Sequence, residues 1–153
     1  MSIESISALP VSSLTDNDAI LFLWVTLPLL PEALNVIRAW GFIYKTAAFV
    51  WIKQNKKSAS LFWGLGHWTR ANAEICLLAT KGQPKRFSAK VHQVIISPVE
   101  EHSKKPDVIR EKIVELAGNL PRVELFARQA TPGWDVWGNE VTYTTGLTER
   151  LLC

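Results

Sequence analysis

Cysteine is scarce in this chain of 153 residues: Cys76 and Cys153 are the only two. Two thiols cannot staple a small fold, so the core must hold it, and a reduced, cytoplasmic setting is expected. Long apolar runs are missing too. None approaches the roughly 18 residues of a helical membrane span, so no membrane segment is expected. The opening Met1-Ser2-Ile3-Glu4 carries an acid and no basic stretch, unlike a secretion signal. Neither a P-loop nor a GxGxxG motif occurs, which removes two common phosphate-cradling devices. His67, Cys76, His92 and His102 fit the ligand spacing of no zinc class, so no metal is expected. Internal repeats and low-complexity tracts are absent.

What is present describes one ordinary globular domain. The chain is 48% hydrophobic and 20% charged, enough apolar matter for a real core. Net charge is +3 with a pI near 9.0, a mild basicity that permits a nucleic-acid partner without demanding one. Seven tryptophans are many, and core packing accounts for most of them. Trp63 and Trp68 differ, because they sit in a polar, glycine-bearing stretch where stacking or loop anchoring competes with burial.

Along the chain, Ala19–Val25 reads as a buried strand. Leu30 to Trp40 reads as a helix, with Pro31 in its first turn and Gly41 as its stop. "YKTAAFVWIKQ" is a second strand, "AEICLLATKG" a third, and Val94 to Ile96 a short fourth. Between the second and third lies a long loop, "KKSASLFWGLGHWTRAN", of a length that is often functional. A helix is expected over Pro106–Ala117, a strand over Arg122–Phe126, and a last strand in "TPGWDVWGNEV". Alternating strands and helices predict an α/β layered domain with a mostly parallel sheet, which binds ligands beyond the carboxyl ends of its strands.

Four residues near those ends invite chemistry. Lys105 precedes a helix, where free amide groups and a lysine can hold a carboxylate or phosphate, or where the lysine is merely solvated. Glu124 and Arg128 flank a strand end. The glutamate can accept from ribose hydroxyls, or the two can form an exposed ion pair. Asn139 can donate and accept toward a sugar or an adenine edge, or simply make a turn. Cys76 lies mid-strand and reads as packing, not as a nucleophile.

The segments "FLWVT", "VWIK", "GHWTRANAEICLLATKG", "EHSKKPD", "ELFAR" and "GWDVWGNE" resemble, in order and spacing, those of the MT-A-seventy family. The resemblance runs from about Met1 to Val141 and looks most like the bacterial and phage branch. It implies a Rossmann-like methyltransferase domain in permuted order, with the catalytic strand before the cofactor strand. The implied reaction is methylation of the 6-amino group of adenine in DNA, before RNA, with S-adenosylmethionine as donor. By resemblance Lys105 holds the donor's carboxylate, Arg128 lies on the ribose side, and Asn139 and then Glu140 lie near ribose and adenine. Ala127 stands where relatives carry glycine. The loop around Gly66 to Asn72 resembles one at the substrate entrance. Lys56, Lys57, His67, Trp68 and Arg70 are the expected nucleic-acid contacts; the basic ones, with Lys85 and Arg86, can meet phosphates or simply stand as solvated surface charge.

One family element is not in this sequence. The catalytic Asp-Pro-Pro-Trp signature belongs upstream of "FLWVT", and the chain has no Pro-Pro pair. The adenine amino nitrogen is a poor nucleophile, since its lone pair is delocalised into the ring. The signature's acceptors orient that nitrogen, and its aromatic stacks on the base, worth about 1–3 kcal/mol in comparable cases. No catalytic residue is therefore assigned, and this chain alone is expected to be inactive or very weak. The absent strand would lie centrally, and its loss would leave two neighbours with unpaired edges. The chain is accordingly read as the C-terminal portion of a longer family member, with the tail after about residue 142 unmatched. A rival reading is a non-catalytic S-adenosylmethionine- or nucleic-acid-binding subunit, pairing with a like or unlike chain. A weaker one is an unrelated nucleotide-binding module.

Overall fold

The computed structural model describes residues 1–142; the unmatched tail and Cys153 lie outside the described residues. In chain order the elements are α1 (Ile3–Ser7), β1 (Ala19–Val25), α2 (Leu30–Ala39), β2 (Ile43–Gln54), β3 (Glu74–Lys81), β4 (Val94–Pro98), α3 (Val108–Ala117), β5 (Val123–Leu125) and β6 (Asp135–Trp137). Single 3-10 turns sit at Val11–Leu14 and Leu27–Leu29. The expected elements are all there, with ends shifted by a few residues.

Four strands form one sheet in the order β1-β3-β2-β4, and β5 and β6 form a separate parallel pair. β3 runs antiparallel to both β1 and β2, while β2 and β4 are parallel. This corrects the expected mostly parallel sheet: it is mixed. The physical reason is that a continuous apolar run reports burial, and burial is indifferent to the direction of the neighbouring strand.

Two apolar layers cover the sheet. On one side α2 supplies Ala33, Val36 and Ile37, and Trp40 follows directly; these pack with Val25 and Leu77. Leu125 of β5 and Trp137 of β6 join the same cluster, so the small sheet and the large one share a core although their strand ladders are separate. On the other side α3 brings Ile109 onto Phe49, Cys76 and Ile95. Helix α2 stops at the expected place because Gly41 takes φ +82°, a conformation that side-chain-bearing residues resist. α3 begins at Val108, two residues after Pro106, and the Asp107 carboxylate binds Arg110 instead of capping the helix.

β5 is shorter than expected because Phe126 takes φ +59° and turns the chain out of the strand. The following Ala127 is buried against Gly138, where any Cβ would come within 2.5 Å of the Ala127 carbonyl oxygen. That close approach holds "FAR" beside "WGNE", the two segments the sequence marks as a binding edge.

Candidate functional site

The strand register builds a charged cluster at one end of the sheet. Trp51 of β2 pairs with Glu74, the first residue of β3, and Lys53 lies two residues further along. Lys53 Nζ donates to Glu74 Oε1 at 3.0 Å. Lys105, arriving from the segment before α3, donates through Nζ to Glu74 Oε2 at 2.5 Å. Both lysines also lie over indoles: Lys53 is 5.1 Å from the Trp51 ring and Lys105 is 5.7 Å from Trp24. The two rings meet edge to face with centroids 6.4 Å apart. Burial pushes the Glu74 carboxyl up, but hydrogen bonds from Lys105 and Lys53, with their charges, outweigh it and hold the group below its ordinary value.

Glu74 lines two cavities. The first, of about 320 Å³, is lined by Lys105, Glu74, Trp24 and Glu32, with Ile3 and Ile6 of α1 on its apolar side. Glu32 is part of its wall, and the Oε2 atom is itself buried and meets no donor. A buried acceptor left unpaired costs about 1–3 kcal/mol, more when charged. The second cavity, of about 300 Å³, is bounded by Lys53, Glu74, Asn72, Phe62, His67 and Thr26, among others.

Asn72 fixes the long loop that walls this second cavity. Its Oδ1 accepts from the Lys53 backbone N–H at 2.9 Å, and its Nδ2 donates to the Lys53 carbonyl at 2.9 Å and to the Phe62 carbonyl. Phe62 N–H donates back to the Lys53 carbonyl at 2.9 Å, and Gly64 N–H to the Ala71 carbonyl at 2.7 Å. Both roots of the loop thus rest on one residue of β2. Out on its tip Leu65 is 96% and Trp68 99% exposed, with His67 and Arg70 exposed beside them.

The expected site residues fall into separate groups. His67, Trp68 and Arg70 share that loop, and Lys56 and Lys57 stand exposed in the turn where it begins. Lys105 lines the first cavity, whereas Arg128 is not among that cavity's lining residues. Arg128 donates to the His102 carbonyl at 2.6 Å and pairs with Glu140 at 3.4 Å and Glu101 at 3.5 Å. Two of these contacts, Glu101 and His102, belong to the segment that leads into Lys105. Glu124 does not pair with Arg128: Arg110 takes it in a two-pronged contact at 2.8 and 2.9 Å. Asn139 is exposed, next to Glu140.

Cys76 is fully buried, and burial pushes its thiol up to about 12 even though the Lys105 charge pulls the other way. That is the packing role expected of a mid-strand cysteine. Trp63 and Trp68 both stand out in solvent, whereas Trp40, Trp51 and Trp137 are core. Among the described residues no three His, Cys, Asp or Glu side chains gather as a metal would need, and no helix is long and apolar enough to cross a membrane.

Sequence reasoning missed Glu74, Glu32 and Arg110. Glu74 offered one faint signal, an acid opening an apolar strand, but its partners lie 21 and 31 residues away.

The MT-A70 family model matches residues 1–140. The chain belongs to the MT-A70 family. The MT-A-seventy resemblance of the motifs is thereby confirmed over almost all of the described chain. Among its MT-A70 relatives, the Type II methyltransferase M.MunI of Mycoplasma sp is 34% identical over 92% of this chain. The N(6)-adenosine-methyltransferase catalytic subunit METTL3 of Homo sapiens is 31% identical over 87% of it, and an MT-A70-like N(6)-adenosine-methyltransferase of Drosophila melanogaster 32% over 92%. The chain spans 58% of M.MunI and 26% of METTL3. In this MT-A70 chain the charged cluster and both cavities fall inside the matched region.

Proposed function

We propose that this chain forms the donor-binding part of an adenine 6-amino methyltransferase that uses S-adenosylmethionine and acts on DNA. The observation that carries the reading is Lys105 on the wall of the first cavity, in a chain of the MT-A70 family. The side chains there fit the donor. Lysine has three N–H donors and Glu74 uses one, so Lys105 keeps two for a carboxylate. Trp24 offers an apolar face, and a volume of about 320 Å³ lies at the small end of ligand sites. When bound, S-adenosylmethionine supplies an electrophilic methyl group on a sulfonium. The chain's own part is to anchor the donor's charged end at Lys105 and to keep that lysine in place through Glu74. Arg128, Asn139 and Glu140 serve the ribose and adenine end. Glu124, gripped by Arg110, joins them at the ribose.

DNA is favoured over RNA by the likeness to a Type II methyltransferase and by the bacterial and phage character of the motifs. Lys56, Lys57, His67, Trp68 and Arg70 line the approach: basic residues meet phosphates, and Trp68 stacks on a base turned out of the duplex. The permuted topology follows in the same reading. β1 is a terminal strand of the large sheet, and β5 belongs to a second sheet packed on the same core. The seam between them is where a strand bearing Asp-Pro-Pro-Trp fits, so full catalysis needs that strand.

A second reading, a non-catalytic partner subunit, is favoured by one observation: the absence of a Pro-Pro pair from the sequence. Calorimetric titration with S-adenosylmethionine tests the donor site, and transfer of a radiolabelled methyl group to adenine-containing DNA tests the chemistry. Donor binding with little or no transfer is expected for the chain alone. No donor binding would overturn the donor-site reading, and brisk transfer would overturn the need for the signature strand.

A further inference from the structure

Glu32 stands in the first turn of α2, on the wall of the first cavity. The helix's N-terminal dipole favours a negative charge there, yet no donor reaches Oε2. The other carboxylate on that cavity, Glu74, is different: both its oxygens are held by lysines. The same cavity therefore carries one acid with an unmet acceptor, from α2, and one lysine with spare donors, from the segment before α3. Between them lie apolar side chains, Leu23, Val25, Ile3 and Ile6. A ligand suited to such walls bears an ammonium and a carboxylate on a short apolar stem, which is the form of an α-amino-acid head.

We infer that Glu32 receives the α-ammonium of the methyl donor's amino-acid head while Lys105 receives its carboxylate. The inference rests on the donor reading above and adds a residue that selects the zwitterion. Oε2 is buried in the wall, so binding in this way has the Glu32 carboxylate turn toward the cavity. The ammonium then gives Oε2 the donor it lacks. An ammonium also sits well close to the face of Trp24, whose ring already meets the Lys105 cation. Glu74 already carries a lysine cation on each oxygen, so its charge is largely spent before a third cation arrives.

The test uses two ligands against the whole chain and its Glu32→Gln variant, by calorimetry. S-adenosylmethionine carries the amino-acid head; 5′-methylthioadenosine keeps the nucleoside and the sulfur but lacks that head. The variant should bind S-adenosylmethionine about tenfold or more weakly, the loss of a hydrogen bond to a charged group. It should bind methylthioadenosine as the original chain does. If the Gln variant does not fold, Glu32→Asp keeps the charge with a shorter reach and should weaken only the first ligand. Unchanged S-adenosylmethionine affinity in the variant overturns the Glu32 assignment and leaves the donor reading standing. Equal loss for both ligands also overturns it, since that marks a structural role. A wild-type chain that binds neither ligand removes the donor reading, and this inference with it.

Discussion

Glu74 is a single carboxylate that holds two lysines from two other segments of the chain. Its pKa is lower in the folded chain than its ordinary 4.5, so folding gains from it wherever it is ionised in both states, above that value. The gain drains away as pH falls through the depressed folded value. Glu74→Gln should accordingly lower stability near neutral pH by about 1–2 kcal/mol, since two lysines lose their shared partner. The gap between variant and wild type should close on the acid side of 4.5. Thermal melts of both proteins across that range check it, and a pH-independent gap would show that Glu74 acts through packing alone. Little of this was legible in the sequence. Lys105 could be singled out because a lysine before a helix is locally odd. Glu74 could not, because its importance is created by strand register and by a segment that returns to it from far along the chain.

At the scale of elements, the long loop is the clearest gain over the sequence. Its length and tryptophans marked it out, but the anchoring by Asn72 depends on where β2 lies. Trp68 touches almost nothing, so Trp68→Ala should leave the melting temperature nearly unchanged. In the proposed reading it should weaken binding of a single-stranded, adenine-containing oligonucleotide by about 1–3 kcal/mol, read by fluorescence anisotropy. Neutralising Lys56 and Lys57 should instead flatten the salt dependence of binding. The logarithmic slope should fall by roughly 0.7 for each phosphate of a single strand that the protein no longer neutralises. Equal affinity in the Trp68 variant would move the nucleic-acid surface elsewhere. α2 was legible to within a residue, because Pro31 and Gly41 punctuate it and its apolar spacing is helical. The direction of β3 was not, since its apolar pattern is equally good either way round.

Over the whole molecule, hydrogen bonding is unevenly spread. β2 and β3 are interior strands with a neighbour on each side, whereas among the described residues β5 and β6 pair with each other alone, over three residues. Hydrogen exchange should show the amides of β3 as the most protected and those of β5 and β6 as opening at far lower free energy. Equal protection in both sheets would mean that the shared core, not the ladders, sets cooperativity. The sequence could announce the α/β class and the motif order, both local properties. It could not announce the division into two sheets, which is a matter of which edges meet. The bare indole at the loop tip has an optical consequence. Most of the chain's tryptophans are sheltered, so Trp68 is the one a dissolved quencher meets most freely. Anything that settles on the loop will shade it, and the protein's own emission will report occupancy with no dye attached.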